Sequence, residues 1–342
     1  MRFSFYLPCY WPDTSYPPQR MYKDAIEQAQ LAEDLGFDAL CIPEHHCINY
    51  LVHPQPLLTA VRVAAATRAI RIITSVLVLP FYDMRRLAGE ICQADCLTDG
   101  RIEIGVGRGA FAYEFDRFGV PVSESRDRFD DALALLEALL SGQETSWKSA
   151  WYDFDSLAIT PTCVQKPIPL WIAALSYPAI YHSALRGYHI QTTPLRGGRD
   201  TVRTQANAFN DAVRDASGRI DHLNFSMLRM LYVAKDAADA EEKVAMAYQN
   251  HRLFTNVFET PGTVKGGQIE PVKTAESIDD IRDALLIGTA SEVIEKLSEY
   301  NELNVLDLLL NMGFGANHAD VMGSMRRFAD DVMPHYLKEK VA

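Results

Sequence analysis

Short apolar runs alternate along the chain with longer segments in which apolar residues recur every three or four positions. Short runs of this kind are typical of β-strands, and the three-to-four spacing is typical of helices that bury one face. The pattern predicts eight strands, at 3–7, 38–43, 70–80, 101–107, 170–175, 188–193, 225–234 and 305–312. It predicts helices at 21–36, 56–68, 84–98, 126–140, 178–186, 200–216 and 319–333.

Strands that alternate with helices favour a parallel sheet, because each crossover between parallel strands needs a helix. The run IRIITSVLVLP at 70–80 is almost continuously apolar, as expected for a strand that is buried on both faces. Eight such units predict a (β/α)8 TIM barrel, and a doubly wound open sheet is the alternative.

The whole chain, residues 1–342, is expected to form a single domain. Two segments, at about 143–168 and 259–290, interrupt the alternation and are interpreted as insertions in the barrel. The second is rich in Gly, Pro, Thr and Lys. A long segment of that composition is typical of a mobile lid.

Composition narrows the range of functions. The formal net charge of -12 argues against a nucleic-acid groove or an anionic membrane surface as partner. No apolar run is long enough for a transmembrane helix, and we expect no secretory signal. The six cysteines are scattered along a long chain, so reduced thiols in a cytoplasmic protein are expected.

The sequence PEHHC at 43–47 follows the second predicted strand, and in a barrel such residues face the active site. Glu44, His45 and the neighbouring cysteines have the chemistry of a metal site but not a recurring ligand spacing. Hydrogen-bonded histidines in a structural loop are a second interpretation. The third is an acid–base site in which Glu44 orients His45.

A glycine-rich stretch, GVGRGAF at 105–111, follows the fourth predicted strand. It matches a dinucleotide-binding fingerprint only loosely, since no strong helical pattern begins before Arg126. A loop that lets a ligand approach the backbone fits better. Arg108 and Arg126 are candidate phosphate ligands, although two solvated arginines explain them equally well. Ser176 precedes a predicted helix and is a candidate for binding an anion at its N-terminus.

Several stretches together resemble bacterial luciferase and the luciferase-like flavin-dependent monooxygenases. They are PEHH, LPFYDMRRLAGEICQADCLTDGRIEIGVGRG, EFDRFGVPVSESR and SMRRFADDVMPHYLKEK, which occur in the same order as in the luciferase α subunit. The resemblance covers nearly the whole chain.

The resemblance implies a TIM barrel that binds reduced FMN (FMNH2), supplied by a separate flavin reductase. In that family the flavin reacts with molecular oxygen to form a C4a-peroxide that oxygenates an organic substrate. We therefore expect a monooxygenase acting on a small or medium apolar carbonyl compound, and a homodimer. The alternatives are an F420-dependent oxidoreductase with the same barrel and a non-catalytic flavin-binding subunit.

The resemblance also assigns roles to residues. His45 occupies the position of the catalytic histidine, with Glu44 in its network. Arg108, Arg126 and Ser176 match phosphate-contacting positions. Thr74–Ser75 matches the site at which the family often has a non-prolyl cis peptide bond beneath the flavin.

This chain differs from the luciferase α subunit at three positions, the first of which is near the flavin and the last after the fifth strand. Gly107 stands where that subunit has cysteine, Phe111 where it has tyrosine, and Leu175 where it has glutamate. These differences argue against light emission and long-chain aldehyde use, and they are compatible with a flavin site.

Overall fold

The computed structural model describes residues 1–195, 197–303, 305 and 307–337. Numbered in chain order, the strands are β1 (Arg2–Tyr6), β2 (Ala39–Ile42), β3 (Arg71–Thr74), β4 (Leu77–Val78), β5 (Ile102–Gly107), β6 (Thr145–Lys148), β7 (Asp153–Leu157), β8 (Leu170–Ala173), β9 (His189–Thr192), β10 (Phe225–Val233), β11 (Val264–Lys265), β12 (Gln268–Ile269), β13 (Leu286–Gly288) and β14 (Asp307–Asn311). The helices are α1 (Pro18–Asp34), α2 (Pro56–Ala64), α3 (Met84–Leu97), α4 (Ala112–Arg117), α5 (Ser125–Leu140), α6 (Tyr177–Leu185), α7 (Arg199–Asp215), α8 (Ala237–Glu259), α9 (Ile278–Ala284), α10 (Ala290–Glu302) and α11 (His318–Arg327).

Parallel strands of the described chain close into a barrel in the order β1, β2, β3, β5, β8, β9, β10 and β14. The last strand returns to the first, with Arg2–Tyr6 paired in register with Asp307–Asn311. The pairing of β10 with both β9 and β14 completes the ring. The predicted (β/α)8 barrel is therefore confirmed, and the open-sheet alternative is wrong. Leu306, within the eighth predicted strand, lies outside the described residues.

Each predicted helix overlaps an observed one, although α11 ends at Arg327 and a π-helical segment, Phe328–Val332, replaces its predicted last turns. The structure adds α4, α8, α9 and α10, which the spacing of apolar residues did not predict. No helix in the described ranges is long and apolar enough to cross a membrane.

Both interrupting segments contain regular structure. The first forms an antiparallel hairpin of β6 and β7, fixed to α5 by a hydrogen bond of 3.1 Å from the Trp147 indole to Asp131. The second contains the β11–β12 hairpin, α9 and β13, and β13 pairs with the end of β10. The segment at 259–290 therefore includes short strands and a helix, unlike the single long loop expected from its composition.

The main apolar core lies between the barrel and its surrounding helices, where Phe5, Leu40 and Ile72 are fully buried. A second apolar cluster includes Tyr6, Cys41 and Phe111, together with aromatic side chains from α8. Because parallel strands end together at one rim of the barrel, the loops after them are gathered around a single opening.

Candidate active site

A cavity of about 1090 Å³ lies at the carboxyl ends of the barrel strands. His45, Ser75 and Gly107 line it, and they follow or end the neighbouring strands β2, β3 and β5. Ligand cavities in proteins typically measure about 300–1,000 Å³. The cavity is therefore large enough for a cofactor and a small substrate together.

The histidine of the predicted acid–base site is held by a carboxylate from another loop. The Nδ1 atom of His45 lies 3.1 Å from Oε1 of Glu114, which α4 places beside it. Glu114 is buried and also accepts a hydrogen bond of 2.6 Å from the backbone N–H of His46. Since a carboxylate accepts hydrogen bonds, Nδ1 carries the hydrogen and Nε2 of the neutral ring keeps its lone pair.

Glu44 belongs to a different network from the one expected. Its Oε1 lies 2.7 Å from Nε2 of His46, and its Oε2 accepts hydrogen bonds from the Tyr82 hydroxyl and the Val78 N–H. Burial, together with the charge of Glu44, raises the pKa of Tyr82, which keeps that hydroxyl a donor. The carboxylate that orients His45 is thus Glu114, and Glu44 orients His46.

Neighbouring histidines point in opposite directions, as an extended chain requires. His45 lines the cavity and stacks on Phe111, with ring centroids 4.4 Å apart and an interplanar angle of 11°. His46 packs edge-on against Phe118 at 4.8 Å and is not among the residues that line the cavity. Phe111, predicted as a cofactor contact, is therefore the platform beneath the His45 ring.

The structure contains a non-prolyl cis peptide bond between Ser75 and Val76, one residue later than the resemblance placed it. Ser75 and Val76 line the cavity. Thr74 does not, because its hydroxyl is buried between β3 and β5 and exchanges two hydrogen bonds of 2.8 Å with the backbone of Gly105. Thr74 thus holds the strands together below the cavity floor.

Gly107 is required by the side chain of Val76. A Cβ atom at Gly107 would lie 2.5 Å from Cγ2 of Val76, well inside van der Waals contact. The absence of a side chain therefore leaves room for Val76 at the cavity wall.

All three predicted phosphate ligands are among the residues that line the cavity. Arg108 and Arg126 both line it, and Arg126 is 3.8 Å from Asp130. Arg108 has no hydrogen bond or ion pair within the described part of the chain. Ser176 caps α6, its Oγ accepting a hydrogen bond of 3.4 Å from the Ala179 N–H. A cation, a hydroxyl and a helix N-terminus suit a phosphate group.

Another part of the cavity wall is aromatic and apolar. Tyr50, Phe254 and Phe258 surround Phe111, and α8 supplies the two phenylalanines. Burial raises the pKa of Tyr50, so its hydroxyl remains neutral. The segment from Glu276 to Leu285 also contributes to the wall.

Comparison with known proteins identifies the family of this chain. The sequence profile of the luciferase-like monooxygenases matches residues 1–307, which is most of the chain. The chain therefore belongs to the luciferase-like monooxygenase family.

The flavin-dependent trigonelline monooxygenase, oxygenase component, of Acinetobacter baylyi is 27% identical over all of this chain and 97% of its own length. The crystal structure of the monooxygenase RslO1 from Streptomyces bottropensis superposes with a TM-score of 0.84 at 23% identity, covering 98% of this chain and 100% of that one. The oxygenating constituent of 3,6-diketocamphane monooxygenase from Pseudomonas putida, in complex with FMN, superposes with a TM-score of 0.78 at 16% identity. The match covers 98% of this chain and 99% of that one. At these identities the two structures show the fold.

Sequence reasoning missed Glu114, although a signal for it was present. Glu114 is three residues beyond Phe111 and begins the stretch EFDRFGVPVSESR, which resembles the family. The short helix α4, which starts at Ala112, carries no strong helical pattern and was not predicted. Tyr50 and Phe254 had no comparable signal, since their positions around the cavity depend on the folded loops.

Proposed function

We propose that this protein is an FMNH2-dependent monooxygenase that oxygenates a small or medium apolar carbonyl compound. The observation that carries the proposal is that the His45 imidazole and Arg108, which has no ion-pair partner among the described residues, line one cavity. A base and an anion-binding group facing the same space fit a reaction on a substrate held beside a phosphorylated cofactor.

The cavity suits FMN. Arg108, Arg126 and Ser176 would hold the phosphate, and the wall formed by Ser75, Val76 and Gly107 would lie against the flavin ring. Gly107 contributes no side chain to that wall, because a Cβ atom there would clash with Val76. When bound, reduced FMN supplies two electrons, so that one oxygen atom of O2 enters the substrate and the other leaves as water.

His45 would handle protons. Glu114 holds the hydrogen on Nδ1, which leaves Nε2 as an acceptor, and Nε2 has no partner among the described residues. An imidazole in this tautomer accepts a proton from a reacting group and later returns it. Phe111 fixes the ring plane by stacking and excludes water from that face.

The substrate would occupy the apolar part of the cavity. Tyr6, Leu51 and Leu228 line this part, together with Phe254 and Phe258. Such walls favour an apolar body of modest size, because each buried CH2 group contributes about 0.8 kcal/mol. A carbonyl carbon, which is the electrophile in aldehyde oxidation and Baeyer–Villiger oxidation, would lie near His45.

A separate flavin reductase would supply FMNH2. The Acinetobacter baylyi relative is named an oxygenase component, which supports such a partner for this chain. We also propose a homodimer, for which size-exclusion chromatography with light scattering is the direct measurement.

Isotope labelling tests the reaction. Purified protein, a flavin reductase, FMN and NADH are incubated under ¹⁸O2 with a panel of aldehydes and cyclic ketones, and the products are analysed by mass spectrometry. We expect one ¹⁸O atom in the product and none in reactions without the protein. Carbonyl reduction with reduced F420, without label, would instead assign the chain to hydride transfer. Flavin binding without oxygenation of any panel member would favour a non-catalytic subunit.

A further inference from the structure

Two buried cysteines that the proposed reaction does not use lie against each other. The Sγ atoms of Cys92, on α3, and Cys163, in the segment between β7 and β8, are 2.9 Å apart. The two residues are 2% and 5% exposed. A disulfide bond joins sulfur atoms that are about 2.05 Å apart, so the two thiols need to approach by only about 0.9 Å to form one.

The segments that carry the two thiols are fixed to each other by further contacts. Asp95, one turn further along α3, is fully buried and accepts hydrogen bonds of 2.9 and 2.8 Å from the backbone N–H and the side-chain amide of Gln165. The Cys96 thiol donates to the carbonyl oxygen of Thr162 at 3.6 Å. One turn of α3 therefore contacts the chain on both sides of Cys163, which keeps the thiols in contact.

The same contact activates one of the two thiols. The thiol and the backbone N–H of Cys163 form hydrogen bonds to Cys92 and lower its pKa, although burial opposes this effect. The thiolate is the form of cysteine that reacts as a nucleophile. Thr162 and Val164, on either side of Cys163 in sequence, are both exposed, so the pair lies just beneath the surface and close to small solutes.

A metal site is the other function that neighbouring thiols can have, and it needs at least a third ligand. Among the residues that the structure describes, no further Cys, His, Asp or Glu has a ligand atom within 4.8 Å of both sulfur atoms. Cys96, on the same helix, therefore does not complete a three-thiol site. Two thiols in contact without a third ligand favour a disulfide over a bound metal ion.

The pair lies at the end of the barrel that is remote from the cavity. Gln165 donates to the carbonyl oxygen of Ile102, which begins β5, and accepts a hydrogen bond of 3.0 Å from Arg71, which begins β3. The cavity is at the opposite ends of these strands. A covalent bond between the two cysteines, which are 71 positions apart, would thus act on the stability of the fold and leave the candidate active site intact.

We propose that Cys92 and Cys163 are a site of oxidation by hydrogen peroxide, which joins them in a disulfide bond that stabilises the fold. The Cys92 thiolate attacks one peroxide oxygen, which gives a sulfenic acid while the other oxygen leaves as water. Cys163 then attacks the sulfur of Cys92, and the second oxygen leaves as water. Two thiols are oxidised by two electrons in total, and one peroxide is reduced to two water molecules.

The source of the peroxide rests on the proposed function, whereas the disulfide itself does not. Reduced flavin that reacts with O2 without transferring an oxygen atom to a substrate passes two electrons and two protons to O2 and yields hydrogen peroxide. An oxygenase that works on such a cofactor is exposed to peroxide whenever substrate is scarce. A disulfide that forms under these conditions would stabilise the protein when it is most at risk of damage.

Peptide mapping of the flavin-free wild-type protein tests the site. Protein that has been reduced and freed of reductant is treated with hydrogen peroxide, unfolded, alkylated and digested for mass spectrometry. We expect a cross-linked pair of peptides that contain Cys92 and Cys163, lighter by two hydrogen atoms than the separate peptides. Cys96→Ser is the matched control on the same helix and should form the cross-link to the same extent. No cross-link in the wild type, or its loss in Cys96→Ser, would overturn the proposal.

Thermal unfolding measures the effect on the fold. Oxidised wild type should have a Tm about 5 °C or more above that of the reduced protein, because a bond that closes a long loop restricts the unfolded chain. Peroxide should produce no such rise in Cys163→Ala. Equal Tm values for oxidised and reduced wild type, or an equal rise in the variant, would contradict the stabilising role.

Flavin binding keeps this proposal separate from the proposed function. The Kd for FMN should agree within twofold between reduced and oxidised wild type, since the disulfide forms at the other end of the barrel. A large loss of FMN affinity on formation of the cross-link would contradict that placement. Failure of FMN to bind either form would contradict the proposed function and leave the disulfide result standing.

Discussion

The Nδ1 atom of His45 lies 3.1 Å from Oε1 of Glu114, and this pair joins the loop after β2 to the helix that follows β5. The same oxygen accepts the backbone N–H of His46 at 2.6 Å. One buried carboxylate thus fixes both the ring and the chain that carries it. The proposed proton transfer by His45 therefore depends on Glu114 more than on Glu44, which is adjacent to His45 in sequence.

Replacing Glu114 tests that dependence. Glu114→Gln removes the charge that holds the hydrogen on Nδ1 of His45, so we expect oxygenation to fall by about 10²-fold or more while FMN affinity stays within twofold. The measurement is product formation per FMNH2 consumed. Glu44→Gln is the matched control, since it alters the partner of His46 and should reduce turnover far less. Equal losses in the two variants would contradict the assignment.

The close approach at Gly107 predicts a measurable strain. Gly107→Ala places a methyl group 2.5 Å from Cγ2 of Val76, and overpacking of this kind lowers the free energy of unfolding by about 1–3 kcal/mol. Val76→Ala removes the clashing atom, so the double variant should recover most of the loss. A double-mutant cycle by urea unfolding measures this coupling, and additive effects would show that the two side chains do not compete for space.

Arg108 is predicted to recognise the phosphate group of FMN. A charge-assisted hydrogen bond contributes about 1.5–3 kcal/mol, so Arg108→Gln should weaken FMN binding by about 10-fold or more. Riboflavin, which lacks the phosphate, should bind wild type and variant equally. Arg117→Gln is the control, because this half-exposed arginine pairs with Asp116. A parallel loss of riboflavin affinity in Arg108→Gln would mean that the variant damages the cavity itself.

Asp307 at the start of β14 makes stability depend on pH. Burial raises its pKa to about 6, and the Arg2 guanidinium only partly opposes this. Because the folded state binds the proton more tightly than the unfolded state, the free energy of unfolding decreases as the pH rises from about 4 to about 6. Asp307→Asn lacks this dependence, so at pH 8 it should be more stable than wild type, by on the order of 3 kcal/mol.

Urea unfolding at several pH values measures this difference, which should shrink toward pH 4. Asp200→Asn serves as control, because that carboxylate is 98% exposed. A constant difference between wild type and Asp307→Asn across the range would show that Asp307 is not the titrating group.

The sequence predicted the barrel because its strands are short, apolar and separated by helices of regular spacing. It did not predict α8, whose buried residues include the polar Lys243, Asn250 and His251, so that its buried face is not simply apolar. The helix α4 was missed for another reason, since six residues are too few to show a helical period.

The candidate site was predictable wherever a residue lies close in sequence to the end of a strand. His45, Ser75 and Arg108 follow three adjacent strands, and all three line the cavity. Side-chain pairs that join different loops could not be predicted from the sequence. Adjacency in sequence suggested Glu44 as the partner of His45, whereas in the fold the partner is Glu114, 69 positions away.

An anaerobic equilibrium titration of wild-type protein with reduced FMN and with reduced F420 tests the central claim most directly. Flavin and protein fluorescence report binding of each cofactor without any knowledge of the substrate. The account predicts saturable binding of reduced FMN at one molecule per chain, at least 10-fold tighter than reduced F420 and weakened by Arg108→Gln. Tighter binding of F420, or no saturable binding of reduced FMN, would contradict it.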